Sequence, residues 1–325
     1  MNAAATSQGT NGFPRGRQSL ASGDHADTLP LRGRVAIVTG AGKGLGRAYA
    51  LHLAACGASV LVNNHRHPAQ KDEQTSARQT VDAIRAFGGT AQPDWSEVSN
   101  PRSGQDMVAH ALTAFGRLDI VVANAGIDRV GSFGKQRMED FRAVFNVGFF
   151  GNLHLAHAAW PHLLKQAYGR VVLTTSSAGL YANHGQAAYA SAKAAVIGLV
   201  RALAIEGRRH GVLVNAIAPY AYSQMTAPYM DADMAGAFDP ARVAPLVGWL
   251  ASQDCDVSGE VLVSGAGLLR RADVGETAAV PLPAHGFSQA VHALHDQPLQ
   301  RYATANDSFA RLLQEHATLH REPAR

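Results

Sequence analysis

Apolar residues along this chain occur in short continuous runs separated by longer stretches with helical periodicity. Continuous apolar strands are typical of a parallel sheet covered on both faces. Gly88-Gly89 and Gly116 are predicted to end two of the intervening helices. The pattern predicts an α/β fold, a doubly wound parallel sheet of the Rossmann type. The runs that predict its strands lie at residues 34–39, 58–63, 90–95, 118–123, 170–175, 212–217 and 260–264.

The pattern changes at both ends of this region. Residues 1–30 are rich in Ala, Ser, Gly, Thr and Asn without apolar periodicity, which predicts a disordered tail. Residues 268–285 are irregular and contain prolines, and two short helical patterns follow at 287–294 and 307–319. We therefore expect a single catalytic domain over 31–267 and a C-terminal helical extension over 268–325. The extension could cover a substrate cleft, pack on a neighbouring subunit or be a structural appendage.

The composition excludes several classes of protein. With 325 residues, 46% of them hydrophobic and 17% charged, the chain can bury a large core. Its formal charge of +4 comes from scattered basic residues with no lysine-rich run, so we expect no nucleic-acid partner. No run of eighteen apolar residues and no signal-peptide core occurs, so we expect no membrane partner. Cys56 and Cys255 offer neither zinc spacing nor a disulfide framework, which favours the reducing cytoplasm.

The first predicted strand leads directly into a glycine-rich turn and an alanine-rich helix. The turn reads Gly40-Ala41-Gly42-Lys43-Gly44-Leu45-Gly46, and the helix continues to about Cys56. Glycines let the backbone approach a pyrophosphate, and the helix N-terminus supplies free N–H groups and the positive end of a dipole. With Thr39, the spacing is T-G-x-x-x-G-x-G. This order of elements predicts a dinucleotide-binding site.

A second signal lies in Tyr189-Ala190-Ser191-Ala192-Lys193, with Ser176 thirteen residues upstream. On a helix, residues at i and i+4 share one face, so Lys193 can lie beside the phenol of Tyr189. A nearby cation favours the phenolate and brings proton transfer into a useful pH range. Ser176 follows a buried strand, and Ser177 is its rival. The pattern predicts acid/base chemistry on an alcohol and a carbonyl.

Together these residues resemble the short-chain dehydrogenase/reductase family over residues 33 to about 267. The family's N-N-A-G and N-x-x-x-P-G motifs have counterparts in Ala123-Asn124-Ala125-Gly126 and Asn215-Ala216-Ile217-Ala218-Pro219-Tyr220. Within the family, the chain is most similar to the (3R)-hydroxyacyl-CoA dehydrogenase units of multifunctional enzymes type 2 and their bacterial relatives. The stretches that carry this likeness include Gly46–Leu51, Ala158-Ala159-Trp160, Gly185–Tyr189, Ala204–Arg208 and Val243–Val247.

The resemblance implies roles for particular residues. Ser176 holds the substrate oxygen, Tyr189 is the general acid/base, and Lys193 lowers the phenol pKa and binds the nicotinamide ribose. It also implies a homodimer or homotetramer that acts on a small-molecule substrate. The cofactor-binding residues it implies, with Thr39 and Asn124 bracing the loop, are Gly40, Lys43, Gly44, Leu45, Gly46, Asn64, Arg66, Ser96, Asn124, Ala125, Gly126, Tyr189, Lys193 and Pro219.

The end of the second strand affects the choice between NAD and NADP. An acidic residue there would bind the ribose 2′-OH of NAD, whereas Asn64 carries no charge to repel a 2′-phosphate. Lys43 and Arg66 could bracket that phosphate, although the relatives implied by the resemblance use NAD. Ser96, where many members have an aspartate, decides nothing. We expect an NAD(P) cofactor, with a slight preference for NADP.

One residue of the family pattern is missing. The family commonly has an asparagine on the fourth helix that supports a proton relay to the lysine, and the matching position here is Gly148. Asn146 lies two residues away, about 200° around a regular helix, and should face elsewhere. The fifteen histidines include His154, His157 and His162, with no carboxylate or thiol at metal spacing, so we expect no metal site.

Three functions remain open on sequence alone. The first is hydride transfer between a secondary alcohol and a carbonyl, on a 3-hydroxyacyl thioester or a similar apolar substrate. The second is the same chemistry on polyketide or steroid-like carbonyls in specialised metabolism. The third is a non-catalytic, cofactor-binding protein, against which Ser176, Tyr189 and Lys193 weigh. Methionines and aromatic residues over 222–240 are expected to cover the substrate.

Overall fold

The computed structural model describes residues 29–319, with the exception of Pro68 and Ala284. The tail predicted over residues 1–30 therefore lies outside the described residues, apart from its last two. Strands and helices alternate through the rest of the catalytic domain, as predicted. The strands are β1 Val35–Val38, β2 Ser59–Asn63, β3 Ala91–Asp94, β4 Ile120–Ala123, β5 Gly169–Thr174, β6 Val212–Pro219, β7 Val261–Gly265 and β8 Leu268–Ala272.

The helices are α1 Gly44–Ala55, α2 Ser76–Ala86, α3 Ser103–Phe115, α4 Met138–Phe145, α5 Gly151–Lys165, α6 Ser177–Tyr181, α7 Ala187–Arg208, α8 Ala244–Ala251, α9 Phe287–His295 and α10 Ala305–Leu319. Gly116 ends α3 as predicted, because its φ of 80° lies in the left-handed region that a glycine adopts freely. Between α4 and α5, residues Asn146–Phe150 form a π-helical turn, so the fourth helical segment is irregular.

One sheet in the order β3-β2-β1-β4-β5-β6-β7-β8 contains every described strand. The first seven strands are parallel. From the central pair β1 and β4, the sheet continues through β2 to β3 on one side and through β5 and β6 to β7 on the other. The predicted doubly wound Rossmann sheet is confirmed. In such a sheet the crevice for a ligand opens at the carboxyl ends of the strands, where the winding direction reverses.

The sheet has a separate hydrophobic core on each face. Alternate residues of β1 divide between them: Ala36 and Val38 pack with α1, whereas Val35 and Ile37 pack with α3 and α5. Burial on both faces explains why these strands are continuously apolar. Pro93, which has no N–H to donate, lies in β3, an edge strand where its missing hydrogen bond leaves no partner unpaired.

The sheet extends beyond Gly267, where the sequence placed the end of the catalytic domain. Ala266 and Gly267, with φ of 50° and 75°, form a two-residue turn that joins β7 to the antiparallel β8. The sheet therefore continues past the boundary predicted at Gly267, because this glycine is the second residue of a hairpin turn. Since β8 is antiparallel to the other strands, the chain leaves the sheet at the end where the N-termini of β1–β7 lie.

The C-terminal extension contains both predicted helices, α9 and α10. Its segments are joined by their own hydrogen bonds: Glu276 pairs with Gln300 in an isolated bridge, and the Ala279 N–H donates to the Glu315 carboxylate. Apolar side chains on this extension are exposed, including Phe287 at 53% and Leu313 at 53%. No described residue of the extension lines the large cleft that opens at the carboxyl ends of the parallel strands.

Helix α7 is the one described helix long and apolar enough to cross a membrane by length and composition. In this fold it packs on the sheet instead. Val196 and Val200 are fully buried and belong to the same core as Val212 and Val214 of β6. The long apolar helix is therefore explained by the core that it covers.

Candidate active site

The glycine turn after β1 takes a shape that larger residues would obstruct. Gly40 and Gly44 have φ of 63° and 52°, in the left-handed region. A Cβ on Gly46 would lie 2.2 Å from the Gly40 carbonyl oxygen. Helix α1 begins here with no side chain capping its first N–H groups. Free N–H groups, a positive helix end and close backbone approach fit the pyrophosphate of a dinucleotide.

Thr39 and Asn124 hold the ends of β1 and β4 together. The Thr39 Oγ1 accepts hydrogen bonds from the backbone N–H of Asn124 at 3.0 Å and of Ala125 at 3.1 Å. The Asn124 Nδ2 donates to the Thr39 carbonyl at 3.1 Å. The predicted bracing role of these two residues is consistent with this geometry, which fixes the floor of the crevice.

Asn64 directly follows β2, and its side-chain amide forms hydrogen bonds with other residues of the protein. Its Oδ1 accepts from the Gly42 N–H at 3.3 Å, and its Nδ2 donates to the Ser76 Oγ at 3.0 Å. Lys43 also lines the cleft, and no ion pair is described for it. This corner therefore presents a neutral amide and a cation, with no carboxylate at the position of Asn64.

Arg66 does not take the position that the sequence predicted for it. Its guanidinium pairs with the Asp72 carboxylate and lies 5.4 Å from the centre of the Trp95 ring. It is not among the residues that line the cleft. Arg66 lies three residues after the end of β2, and its ion pair with Asp72 holds the side chain away from the cleft lining. Of the two predicted cations, the structure brings only Lys43 to this corner.

Ser96 lines the cleft on the far side of the same corner. Its backbone is fixed on both sides: its N–H donates to the Asp94 Oδ1 at 2.9 Å, and its carbonyl accepts from the Asn63 Nδ2 at 2.9 Å. The side chains of His65 and Glu97, which sequence reasoning missed, contact each other and also line the cleft. These groups border the space in which the adenosine half of a dinucleotide would lie.

Ser176, Tyr189 and Lys193 meet beside this crevice, as their spacing predicted. Ser176 caps α6, where its Oγ accepts from the Ala178 N–H at 3.1 Å, and its hydroxyl hydrogen-bonds the Tyr189 phenol. The Lys193 Nζ lies 5.7 Å from the centre of the Tyr189 ring. Ser177, the rival of Ser176, also lines the cleft as the first residue of α6.

Burial changes the acidity of both the phenol and the ammonium. It raises the pKa of Tyr189, an effect that the Ser176 hydrogen bond opposes and the charge of Asp128 reinforces. It lowers the pKa of Lys193 to about 8. The Lys193 Nζ donates to the Thr174 carbonyl at 2.8 Å, which holds the ammonium at the end of β5. The sequence predicted that Lys193 lowers the phenol pKa, whereas here the lowering contact comes from Ser176.

The substituted fourth helix contains a different arrangement from the family pattern. Gly148 is buried within the π-helical turn, and its carbonyl accepts from the Nδ2 of buried Asn152 at 3.0 Å. A Cβ on Gly148 would lie 3.9 Å from the Ala192 Cβ, so the position faces α7. Asn146 is exposed and, as predicted, faces elsewhere.

The whole cleft has a volume of about 760 Å³. Every predicted cofactor-binding residue except Arg66 lines it. No group of three or more metal-ligating side chains occurs among the described residues. The cleft is also lined by residues that the sequence analysis did not single out. Their positions just after the Ala123–Gly126 motif and just before Tyr189 were the sequence signals that could have found them. They include Ile127, Asp128, Val130, Val147, Asn183, His184 and Gln186, together with Met225 and Met230 from the predicted covering segment.

Comparison with known proteins identifies a family for most of the chain. The family model for short chain dehydrogenases matches residues 34–233. The chain is 43% identical over 244 residues to mouse peroxisomal multifunctional enzyme type 2; the match covers 74% of this chain and 33% of that enzyme. It is 40% identical over 243 residues to a short-chain type dehydrogenase/reductase of Mycobacterium tuberculosis, covering 74% of this chain and 85% of the relative. A crystal structure of a short chain dehydrogenase from Mycobacterium avium superposes with a TM-score of 0.75 and 34% identity, covering 84% of this chain and 97% of that one.

Proposed function

Because this chain belongs to the short-chain dehydrogenase/reductase family and is an NAD(P)-dependent oxidoreductase, we propose that its cleft interconverts a secondary alcohol and a carbonyl, with Tyr189 as the proton-transferring group. One observation carries the proposal: a partly buried phenol, a serine hydroxyl and a buried ammonium converge beside a glycine turn that fits a pyrophosphate. A protein that only bound the cofactor would need no such phenol. This weighs against the non-catalytic alternative.

Each of the three side chains has a distinct task in this proposal. Ser176 donates a hydrogen bond to the substrate oxygen and places it beside the phenol. Tyr189 removes the alcohol proton in oxidation and returns a proton to the carbonyl oxygen in reduction. Lys193, held by the Thr174 carbonyl, keeps a positive charge near the phenolic oxygen when protonated. Fixing these groups in line contributes about 7–11 kcal/mol to lowering the barrier in well-oriented systems.

The cofactor would lie along the crevice from the Asn64 corner to Lys193. The pyrophosphate fits the uncapped N-terminus of α1, and Lys193 and Tyr189 would contact the nicotinamide ribose. When bound, the nicotinamide supplies the hydride acceptor for oxidation or the hydride donor for reduction. Residues on the β1 and β4 loops orient it and exclude water.

We further propose that the chain prefers NADP to NAD. Support comes from Asn64, which adds no negative charge at the ribose 2′ position, and from Lys43, the lining cation beside it. A charge-assisted contact from Lys43 to a 2′-phosphate is worth roughly 1.5–3 kcal/mol, about tenfold or more in affinity. The preference should weaken with added salt, because this side chain lies near solvent.

Titration of NADPH and NADH into the ligand-free protein at low salt tests this preference. We expect the wild type to bind NADPH about tenfold more tightly. Lys43→Ala should remove most of that difference, and Asn64→Asp should reverse it by repelling the phosphate. Arg66→Ala, which removes a cation outside the cleft lining, is the matched control and should leave the ratio unchanged. NADH bound as tightly as NADPH by the wild type would show the NADP proposal to be wrong.

For the substrate, we propose a 3-hydroxyacyl thioester or a similar apolar alcohol. Support comes from the methionines Met225 and Met230 and from Ile127, which line the substrate end of the cleft. It also comes from the resemblance to the (3R)-hydroxyacyl-CoA dehydrogenase units of multifunctional enzymes type 2; the match to the mouse enzyme spans a third of that protein. Steady-state rates with 3-hydroxyacyl-CoA esters, steroid alcohols and polyketide-like diketones separate this from the alternative in specialised metabolism. Turnover of steroids or diketones with no turnover of any thioester would favour the alternative.

A further inference from the structure

Asp128 lies in the cleft with half of its carboxylate unused. It follows β4 by five residues, in the loop that passes beside Tyr189. Its Oδ2 accepts a hydrogen bond from the Gln186 Nε2 at 2.5 Å. Its Oδ1 is buried from solvent and is one of four described side-chain atoms of this kind that have no hydrogen-bond partner. A buried acceptor without a donor is unfavourable, and a charged one more so.

No cation in the part of the chain that the structure describes forms an ion pair with this carboxylate. The neighbouring Arg129 pairs with Asp140, at 3.8 Å between Nε and Oδ1. Among the described residues, no ion pair involves the Asp128 side chain. A purely structural link to Gln186 would need only one acceptor oxygen, which an asparagine provides equally well. The charge and the second oxygen therefore have no use within the protein itself.

Asp128 also lines a side cavity, and a second residue of that cavity has an acceptor without a partner. This cavity, of about 460 Å³, opens from the main cleft, and Asp128, Val130 and Met225 line both. The buried Gln136 Oε1, which also lines the side cavity, has no partner either. Two unpaired acceptors on one cavity wall call for a ligand that brings hydrogen-bond donors.

The link from Asp128 through Gln186 to Tyr189 indicates where in the cleft a donor would lie. Gln186, its hydrogen-bond partner, lies at the N-terminal end of α7, three residues before Tyr189, or about 4.5 Å along the helix axis. Both residues line the main cleft, and the charge of Asp128 raises the pKa of Tyr189. We therefore expect a donor that binds this carboxylate to lie close to the reacting carbon.

We propose that Asp128 binds a second hydroxyl group of the substrate, so that the cleft selects alcohols and ketones hydroxylated close to the reacting carbon. This inference rests on the proposed function and narrows its substrate class. The second hydroxyl donates to the free Oδ1 while the reacting oxygen lies between Ser176 and Tyr189. An unsubstituted chain at the same place would leave the carboxylate oxygen buried and unpaired, and sites of this kind discriminate strongly against the analogue that lacks the donor.

Matched pairs of alcohols that differ by one hydroxyl test this preference. The probes are butane-2,3-diol against butan-2-ol and, for the apolar cleft, hydrobenzoin against 1,2-diphenylethanol, oxidised by the full chain with NADP⁺ or NAD⁺. We expect kcat/KM to be at least about tenfold higher for the diol in each pair. Asp128→Ala should reduce the ratio to near one by lowering kcat/KM for the diols alone, and Asp128→Asn should reduce it partly. Asp106→Asn, an exposed aspartate of α3 outside the cleft, is the control.

A binding measurement separates this inference from the proposed function. In Tyr189→Phe loaded with NADPH or NADH, dissociation constants for the same probes are read from nucleotide fluorescence, without turnover. If the diols bind more tightly than the mono-alcohols and Asp128→Ala removes that difference, the inference is supported, even where the wild type oxidises neither probe. Failure to oxidise either probe would count against the proposed reaction instead. Equal binding of both partners, no measurable binding of the diols, or a preference that survives Asp128→Ala overturns the inference.

Discussion

At the scale of single residues, burial acts in opposite directions on the two groups that the proposed proton transfer needs. It raises the pKa of the Tyr189 phenol and lowers that of the Lys193 ammonium. Each shift disfavours the charged form of its group. The hydrogen bond from Ser176 works against the first shift, and it is the contact through which a substrate oxygen would join the pair.

Tyr189→Phe tests the phenol directly. Without the hydroxyl the variant has no group at this position to move the proton, and general acid/base catalysis typically contributes at least about a hundredfold. Turnover should fall by that factor or more, while the dissociation constant of the nicotinamide cofactor stays close to that of the wild type. Tyr181→Phe, on the 75% exposed tyrosine at the end of α6, is the matched control. Retention of a tenth of the wild-type kcat by Tyr189→Phe would exclude the role.

Lys193→Met should change how stability depends on pH. The folded-state pKa of Lys193 is about 8 against 10.5 for the exposed side chain, so between these pH values the unfolded chain binds more protons. Wild-type stability should therefore rise with pH across this window, by about 3 kcal/mol from this group. The methionine variant should lack that rise while losing activity. Chemical unfolding at pH values from 7 to about 11 measures the difference, and parallel curves for both proteins would contradict it.

At the scale of elements, replacing a glycine by alanine should have opposite effects on stability in the glycine turn and in helix α7. Gly46→Ala would bring a Cβ within 2.2 Å of the Gly40 carbonyl oxygen, so the turn must move. We expect a loss of about 1–3 kcal/mol in unfolding free energy and weaker nucleotide binding. Gly198→Ala, in the middle of α7 with no atom within 4 Å of the new Cβ, should stabilise the protein by about 0.5–1 kcal/mol. Stabilisation by Gly46→Ala would refute the steric argument.

The elements also show what sequence patterns could and could not predict. Most of the seven parallel strands were predicted because burial on both faces leaves a continuous apolar run; β3, which reads Ala-Gln-Pro-Asp, is the exception. Strand β8, Leu268–Ala272, was missed because it is an exposed edge strand that includes Arg270 and Arg271 and has no alternation. The π-helical turn at Asn146–Phe150 packs against α7, a contact that periodicity along one helix does not record.

The same limit applies to the candidate site. Motif spacing brought Ser176, Tyr189 and Lys193 together correctly, since a strand end and one helical face define their positions. Arg66 was misplaced because its ion pair with Asp72 forms across a turn whose direction no spacing rule gives. Asp128 was missed because it is notable for an oxygen without a partner, and that can be seen only in three dimensions.

At the scale of the whole molecule, the catalytic domain should end after β8. A chain ending at Val274 retains the β7–β8 hairpin and the ion pair between the Arg271 Nη1 and the Asp273 Oδ2 at 2.9 Å. A chain ending at Gly267 exposes the edge of β7. We expect the shorter chain to have a Tm lower by at least about 4 °C and to aggregate on heating. Equal Tm values for the two truncated chains, measured by calorimetry, would show that β8 adds nothing to the domain.

The reversed direction of β8 has a practical consequence for handling the enzyme. The seven parallel strands carry the cleft at one rim of the sheet, and the antiparallel eighth strand returns the chain to the other rim before Asp273. A linker attached after this strand therefore starts on the side remote from the glycine turn and Tyr189. When the domain is immobilised on a support through such a linker, the reaction chamber faces the medium, and substrate diffuses in without passing the support.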